Sequence, residues 1–212
     1  YCPATMYDCV RYGCDKRPQP MNTKFLPLLI SLLVIPAVVL LPTERAASEM
    51  TVAQADNRLE EAGRLLEQGR QQFDTSQFQA ALQSYQQALE LYRELAAQPD
   101  LFQDGRRGEG NALRGIGNVY TVSAQYDQAI DMYEQALGIA RELRDSDGES
   151  RALGNLGLAY NSLGQYDRAI DFHEQSLAIA REIGDRAGEG NALTNLGNAY
   201  FNLGQYERAI DF

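Results

Sequence analysis

Residues 148–172 read GESRALGNLGLAYNSLGQYDRAIDF, and residues 188–212 read GEGNALTNLGNAYFNLGQYERAIDF. The two agree at 18 of 25 positions at an offset of 40, so one unit is written twice. A period of that size marks stacked repeats, in which each unit buries its apolar face against the next. Residues 108–132, GEGNALRGIGNVYTVSAQYDQAIDM, are the same unit one period earlier. A divergent copy comes first: LLEQGRQQFDTSQFQAALQSYQQALELYREL at 65–95 aligns with LGNLGLAYNSLGQYDRAIDFHEQSLAIAREI at 153–183. Gly69 and Gly117 are 48 residues apart, so eight extra residues fall around 96–107. Pro99, Asp104 and Gly105 make residues 99–107 an expected inter-repeat loop.

Each unit reads as two helices. Leu153, Leu156, Gly157 and Tyr160 stand at i, i+3, i+4 and i+7, one face of a first helix. Gly164 comes next, where a left-handed residue often closes a helix. The second helix is expected from about Tyr166 to Ile183, with Tyr166, Ala169, Ile170, His173, Leu177 and Ala180 as its inner stripe. Asp167 near its start and Arg181 near its end oppose the helix dipole. The stripe Val52, Ala55, Leu59, Ala62, Leu66, Gly69, Phe73 predicts a long first helix in the opening unit.

The pattern Leu156-Gly157-x-x-Tyr160 followed by Ala169 resembles the tetratricopeptide repeat. Units such as NLGNAYFNLGQYERAIDF, with their longer forty-residue period, are similar to the subclass typified by Pins/LGN scaffolds and kinesin light chains, and to bacterial tandem copies. Local departures are Gln68 and Gln72 where Leu and Tyr recur later, and Ala124 in place of glycine. The resemblance implies an all-α fold, a right-handed superhelical solenoid of antiparallel helix pairs, here preceded by an N-terminal apolar helix. The expected division is a divergent first repeat at 53–98, the loop at 99–107, repeats at 108–147 and 148–187, and a truncated repeat at 188–212.

In such a solenoid the first helices line a concave surface that receives partners. Its candidate residues are rich in asparagine: Asn111, Asn118, Asn155, Asn161, Asn191, Asn195, Asn198 and Asn202. An amide both donates and accepts, so a row of them can hold an extended peptide by its backbone. In the resembling scaffolds, asparagines at the positions of Asn155 and Asn195 do this. The alternative is that individual amides only satisfy neighbouring repeats. Arg114 and Arg151 project from the same helices and, with Asn118 and Asn155, partly match the carboxylate clamp of chaperone-binding relatives. Asn191 and Asn195 stand where that clamp needs two more cations, which leaves a weaker preference for acidic or C-terminal peptides. The alternative for both arginines is pairing with local acids such as Glu109 or Glu149.

Composition narrows the classes. Of the 212 residues, 19 are Lys or Arg and 29 are Asp or Glu, a net charge of −10, which disfavours nucleic acid. Residues 1–48 carry five basic and three acidic side chains, leaving 14 arginines against 26 carboxylates beyond them. The single histidine, His173, shares the phase of Tyr85 and Tyr133 and reads as a packing ring; no catalytic residue, metal set or cofactor is expected. Asp145, Asp147 and Asp185 are expected to cap the helices that come after them.

The run FLPLLISLLVIPAVVLL at 25–41, after Met21-Asn22-Thr23-Lys24 and before Ala46, Ala47 and Ser48, has the layout of a secretory signal. Residues 21–48 are therefore expected to be a signal peptide or an uncleaved membrane anchor, and the protein to be exported to the periplasm or beyond. Residues 1–20, with Cys2, Cys9 and Cys14, precede that start and are expected to be non-native upstream sequence. The expected function is an exported scaffold for a protein or peptide partner, touching membrane only through an uncleaved 25–41 segment. The competing expectations are the recruitment arm of a larger enzyme, such as a caspase-like peptidase, and self-assembly through the open end. Ile210-Asp211-Phe212 leaves an apolar stripe unfinished, so further chain is expected beyond it.

Overall fold

Apolar side chains at three-four spacing can be buried only by helices that lie against one another, and the computed structural model has that arrangement throughout its described part. The backbone is described from Leu41 and the side chains from Gln54 onward. The segment 1–20 and the apolar run, save Leu41, lie outside the described residues. The repeats belong to one compact unit, 48–212.

Among the described residues eight α-helices run in order: α1 (Leu41–Asp74), α2 (Phe78–Ala96), α3 (Phe102–Val122), α4 (Tyr126–Leu143), α5 (Ser146–Ser162), α6 (Tyr166–Ile183), α7 (Arg186–Asn202) and α8 (Tyr206–Ile210). No strand occurs among the described residues. From α2 onward consecutive helices pair, and α3 also meets α5, as α5 meets α7, so first helices lie side by side and second helices form the other layer. The expected solenoid of antiparallel helix pairs is the fold. The long opening helix and the Tyr166–Ile183 span are also as the stripes imply.

The core is made of alanines at the crossings and large rings between them. Ala81, Ala112, Ala129, Ala152, Ala169 and Ala192 are buried, with Tyr85, Tyr133 and His173 filling matched places under successive first helices. A Cβ at Gly157 would sit about 2.6 Å from His173 Nδ1, and one at Gly117 about 2.5 Å from the Tyr133 ring. Only glycine lets these rings lie flat against the neighbouring backbone.

The turns within pairs need a left-handed residue. Gly164 (φ 73°) and Gly204 (φ 79°) supply it without a Cβ penalty, whereas Ala124 (φ 56°) adopts the same conformation under strain. Between pairs, Gly184 and Arg144 take that role.

Residues 99–107 are not the loop their turn-forming residues suggest. Pro99–Leu101 form one 3-10 turn, and α3 begins at Phe102, so the insertion lengthens a helix to 21 residues. Gly105 lets α3 approach the end of α2 at Ala96, where any Cβ would collide with backbone. Arg106 holds Glu109 at 2.6 Å and also reaches Glu142. A recurring clasp closes each joint: Arg141 Nε donates to Glu149 at 2.8 Å and Arg181 Nε to Glu189 at 2.9 Å. At the first joint Arg93 Nε donates to the buried Glu109 at 2.9 Å, across sixteen positions instead of eight. The eight extra residues coil into helix, and the clasp survives them.

Candidate functional site

The first helices present one polar face to a shared hollow. A cleft of about 620 Å³ is lined by Arg114 and Asn118 from α3, Arg151 and Asn155 from α5, and Asn191 and Asn195 from α7. A second cleft of about 420 Å³ shares Arg114, Asn118 and Arg151 and continues past Asn111 towards Arg107. Seven of the ten sequence-derived groove residues therefore fall in one continuous groove. Three do not. Asn161 and Asn202 lie near the C-terminal ends of their helices, and Asn202 Nδ2 donates to Asn161 Oδ1 at 3.2 Å in an inter-repeat contact. Asn198 has the phase of Asn118 but lines a separate depression of α7 and α8 with Thr194, Phe201 and Tyr206. Reduced by the forty-residue period, Asn161 and Asn202 fall in different phases from Asn155 and Asn195, a signal present in the sequence.

The amides are partly committed to one another. The Tyr133 hydroxyl donates to Asn118 Oδ1 at 2.8 Å and lies 3.0 Å from Thr121 Oγ1. Asn155 Nδ2 donates to the same Asn118 oxygen at 3.2 Å. What remains for a guest is the Asn118 N–H donors beside the Asn155 carbonyl, a pair complementary to a peptide unit. Burial pushes the Tyr133 phenol up to about 12, so it stays a donor.

The arginines divide. Arg151 Nε lies 3.0 Å from Asp147, Arg107 is 3.9 Å from Asp145, and Arg70 holds Glu67 at 2.6 Å. Arg114 alone of the lining arginines has no carboxylate within 4.0 Å among the described residues, its one side-chain hydrogen bond being Nη2 to Asn111 Oδ1 at 2.5 Å. Burial, and then the repulsion of Arg151, push its guanidinium below the ordinary arginine range, against the weaker pull of Asp147 and Asp145. A carboxylate arriving in the groove would offset both by its opposite charge.

Other candidates resolve into structural roles. Asp145 accepts from Gly148 N at 3.0 Å as the cap of α5. Asp185 precedes α7 without such a bond, and Asp147 lies inside α5 paired with Arg151, so the capping expectation holds at one of three sites. His173 is 1% exposed and its Nδ1 has no hydrogen-bond partner. Its ring fills the Tyr133 place, while Leu158 stands where Asn118 would have met it, so the hydroxyl and its acceptor are missing together. No cluster among the described residues could hold a metal ion, and no described helix is long and apolar enough to cross a membrane. Sequence reasoning overlooked Leu158, an exposed leucine in the cleft wall.

Paired helices recurring at this period, with a hollow along their first helices, define a helical-hairpin repeat protein. The tetratricopeptide repeat family pattern matches residues 108–182 and 150–212, and the chain is a member of that family. Among curated proteins none matches the sequence. Solved structures share its fold. The apo form of RapI superposes with TM-score 0.64 at 16% identity, over 78% of this chain and 44% of that one. A putative kinesin light chain from Podosopora anserina with nearly identical repeats gives 0.59 at 19%, over 72% of each chain. The Rap conjugation gene regulator of plasmid pLS20, solved with a bound Phr peptide, gives 0.58 at 18%, over 68% and 38%. The chain thus spans less than half the length of the Rap proteins it matches.

Proposed function

We propose that this chain is an exported, non-catalytic scaffold whose groove binds an extended segment of a protein partner. The observation that carries the reading is the continuous lining from Asn111 to Asn195, in which an amide pair faces the guest beside an arginine that has no carboxylate partner among the described residues. Backbone recognition by Asn118 and Asn155 needs no particular guest side chain, and Arg114 adds a preference for acidic or C-terminal segments. The pLS20 regulator, solved with a peptide, supports the peptide class of partner. The apolar run at 25–41 supports export.

The test is to pan a displayed library of random dodecapeptides against the full chain and measure selected peptides by fluorescence anisotropy. The double variant Asn155→Ala, Asn195→Ala should weaken binding at least tenfold with the melting curve unchanged, and bound peptide should be recovered uncleaved. Equal affinity for the double variant would refute the groove. A reporter enzyme fused after Ser48 tests export, which fails if activity stays inside the cell.

A further inference from the structure

The two joints of the groove are chemically unlike. At the first, between α3 and α5, Tyr133, Asn118 and Asn155 form one hydrogen-bonded relay, and Arg114 stands within reach of the same cleft. At the second, between α5 and α7, the relay has no counterpart. Leu158 occupies the place held by Asn118 one repeat earlier and by Asn198 one repeat later. Its side chain lines the cleft and is 42% exposed. Beneath it lies His173, which offers no hydroxyl. Among the described residues lining this cleft Leu158 is the one large apolar side chain, the other apolar members being alanines and glycines, and its equivalents in the two flanking repeats are asparagines.

Resting on the peptide-groove reading, we infer that the guest carries an acidic side chain seated on Arg114 and an aliphatic side chain seated on Leu158. The spacing comes from helix geometry. Adjacent packed helices lie about 10 Å apart, and Leu158 is one turn further along its helix than the residue matching Arg114, a step of about 6 Å. The two seats are then about 12 Å apart. Extended chain advances about 3.3 Å per residue, so the two guest side chains stand three or four positions apart. Charge complementarity selects the first: of the arginines lining the groove, this one lacks a carboxylate among the described residues. Shape and the loss of the amide select the second, because an apolar guest atom covers Leu158 with no polar group left unsatisfied.

The variants come from the repeat itself. Arg114→Thr installs the residue of the matched position Thr194, and Leu158→Asn that of Asn118 and Asn198, so both fit their helices. The dodecapeptide library is panned on the full chain and on each variant. Wild-type protein should enrich peptides with Asp or Glu three or four residues from Leu, Ile or Val. Leu158→Asn should lose the aliphatic preference and keep the acidic one; Arg114→Thr should do the reverse. A selected peptide should lose about tenfold in affinity when its acid becomes the amide, and this loss should vanish in Arg114→Thr, which a general effect on folding would not produce. Groove-dependent peptides lacking the spaced pair, or a peptide acid whose removal matters equally in both proteins, would overturn the inference and leave the groove standing. Selection of no peptide sensitive to Asn155 and Asn195 would overturn both.

Discussion

Acidification should weaken this protein through one ring. His173 is 1% exposed, and burial lowers its pKa from the ordinary 6.5 to about 4. In the unfolded chain the imidazole binds its proton near pH 6.5. Between that pH and about 4 the unfolded state therefore holds a proton that the folded state does not, so stability falls as pH falls through this window. Above pH 6.5 the ring is neutral in both states and contributes nothing to the pH dependence. The full gap corresponds to about 3 kcal/mol, most of it expressed by pH 4.5. His173→Phe removes the titration and keeps an aromatic ring over Gly157. Carboxylates held low by arginines, such as Glu67 at about 2 and Glu189, lose their contribution at lower pH in both proteins and cancel in the difference. Urea unfolding followed by circular dichroism at pH 7 and pH 4.5 reads the result. Wild type should lose about 2–3 kcal/mol more than the variant. Equal losses would refute the claim that the buried ring resists protonation.

Two further outcomes test the packing. Ala124→Gly should stabilise the chain by about 1 kcal/mol, seen as a higher melting temperature, because it removes a Cβ from a left-handed position where Gly164 and Gly204 stand in the sister repeats. Glu109→Gln should cost about 2 kcal/mol in denaturant unfolding, since it strips the buried carboxylate from Arg93 and Arg106. Glu189→Gln, whose partners are largely in solvent, should cost markedly less.

The helix pairs were legible because burial imposes a period that the residues repeat: Leu153, Leu156 and Tyr160 recur as Leu193, Leu196 and Tyr200. Residues 99–107 mislead because Gly105 and Pro99 carry turn chemistry locally, while the deciding fact is a close approach to Ala96 that local signals do not encode. The shared partner of Arg93 and Arg106 could have corrected it, since a glutamate sixteen positions after Arg93 restores the eight-residue clasp once eight are removed. In the groove, residue type located the asparagines and phase set Asn161 and Asn202 apart, whereas Asn198, in the phase of Asn118, was separated only by the structure. That Arg114 lacks a carboxylate among the described residues could not be read from the chain, because Glu109 is close to it in sequence, Asp145 and Asp147 come near it only in the fold, and each is engaged elsewhere.

The arginine–glutamate clasp gives the array a tolerance that an ordinary globular core lacks. The seams after Arg141 and Arg181 are each closed by two side chains eight positions apart, so duplicating or deleting a whole forty-residue block in that part of the chain regenerates an identical seam wherever the cut falls. Such a gene can lengthen or shorten by recombination between its own near-identical stretches without any fresh compensating substitution. The number of blocks, and with it the reach of the groove, is then a quantity that selection can adjust in whole steps.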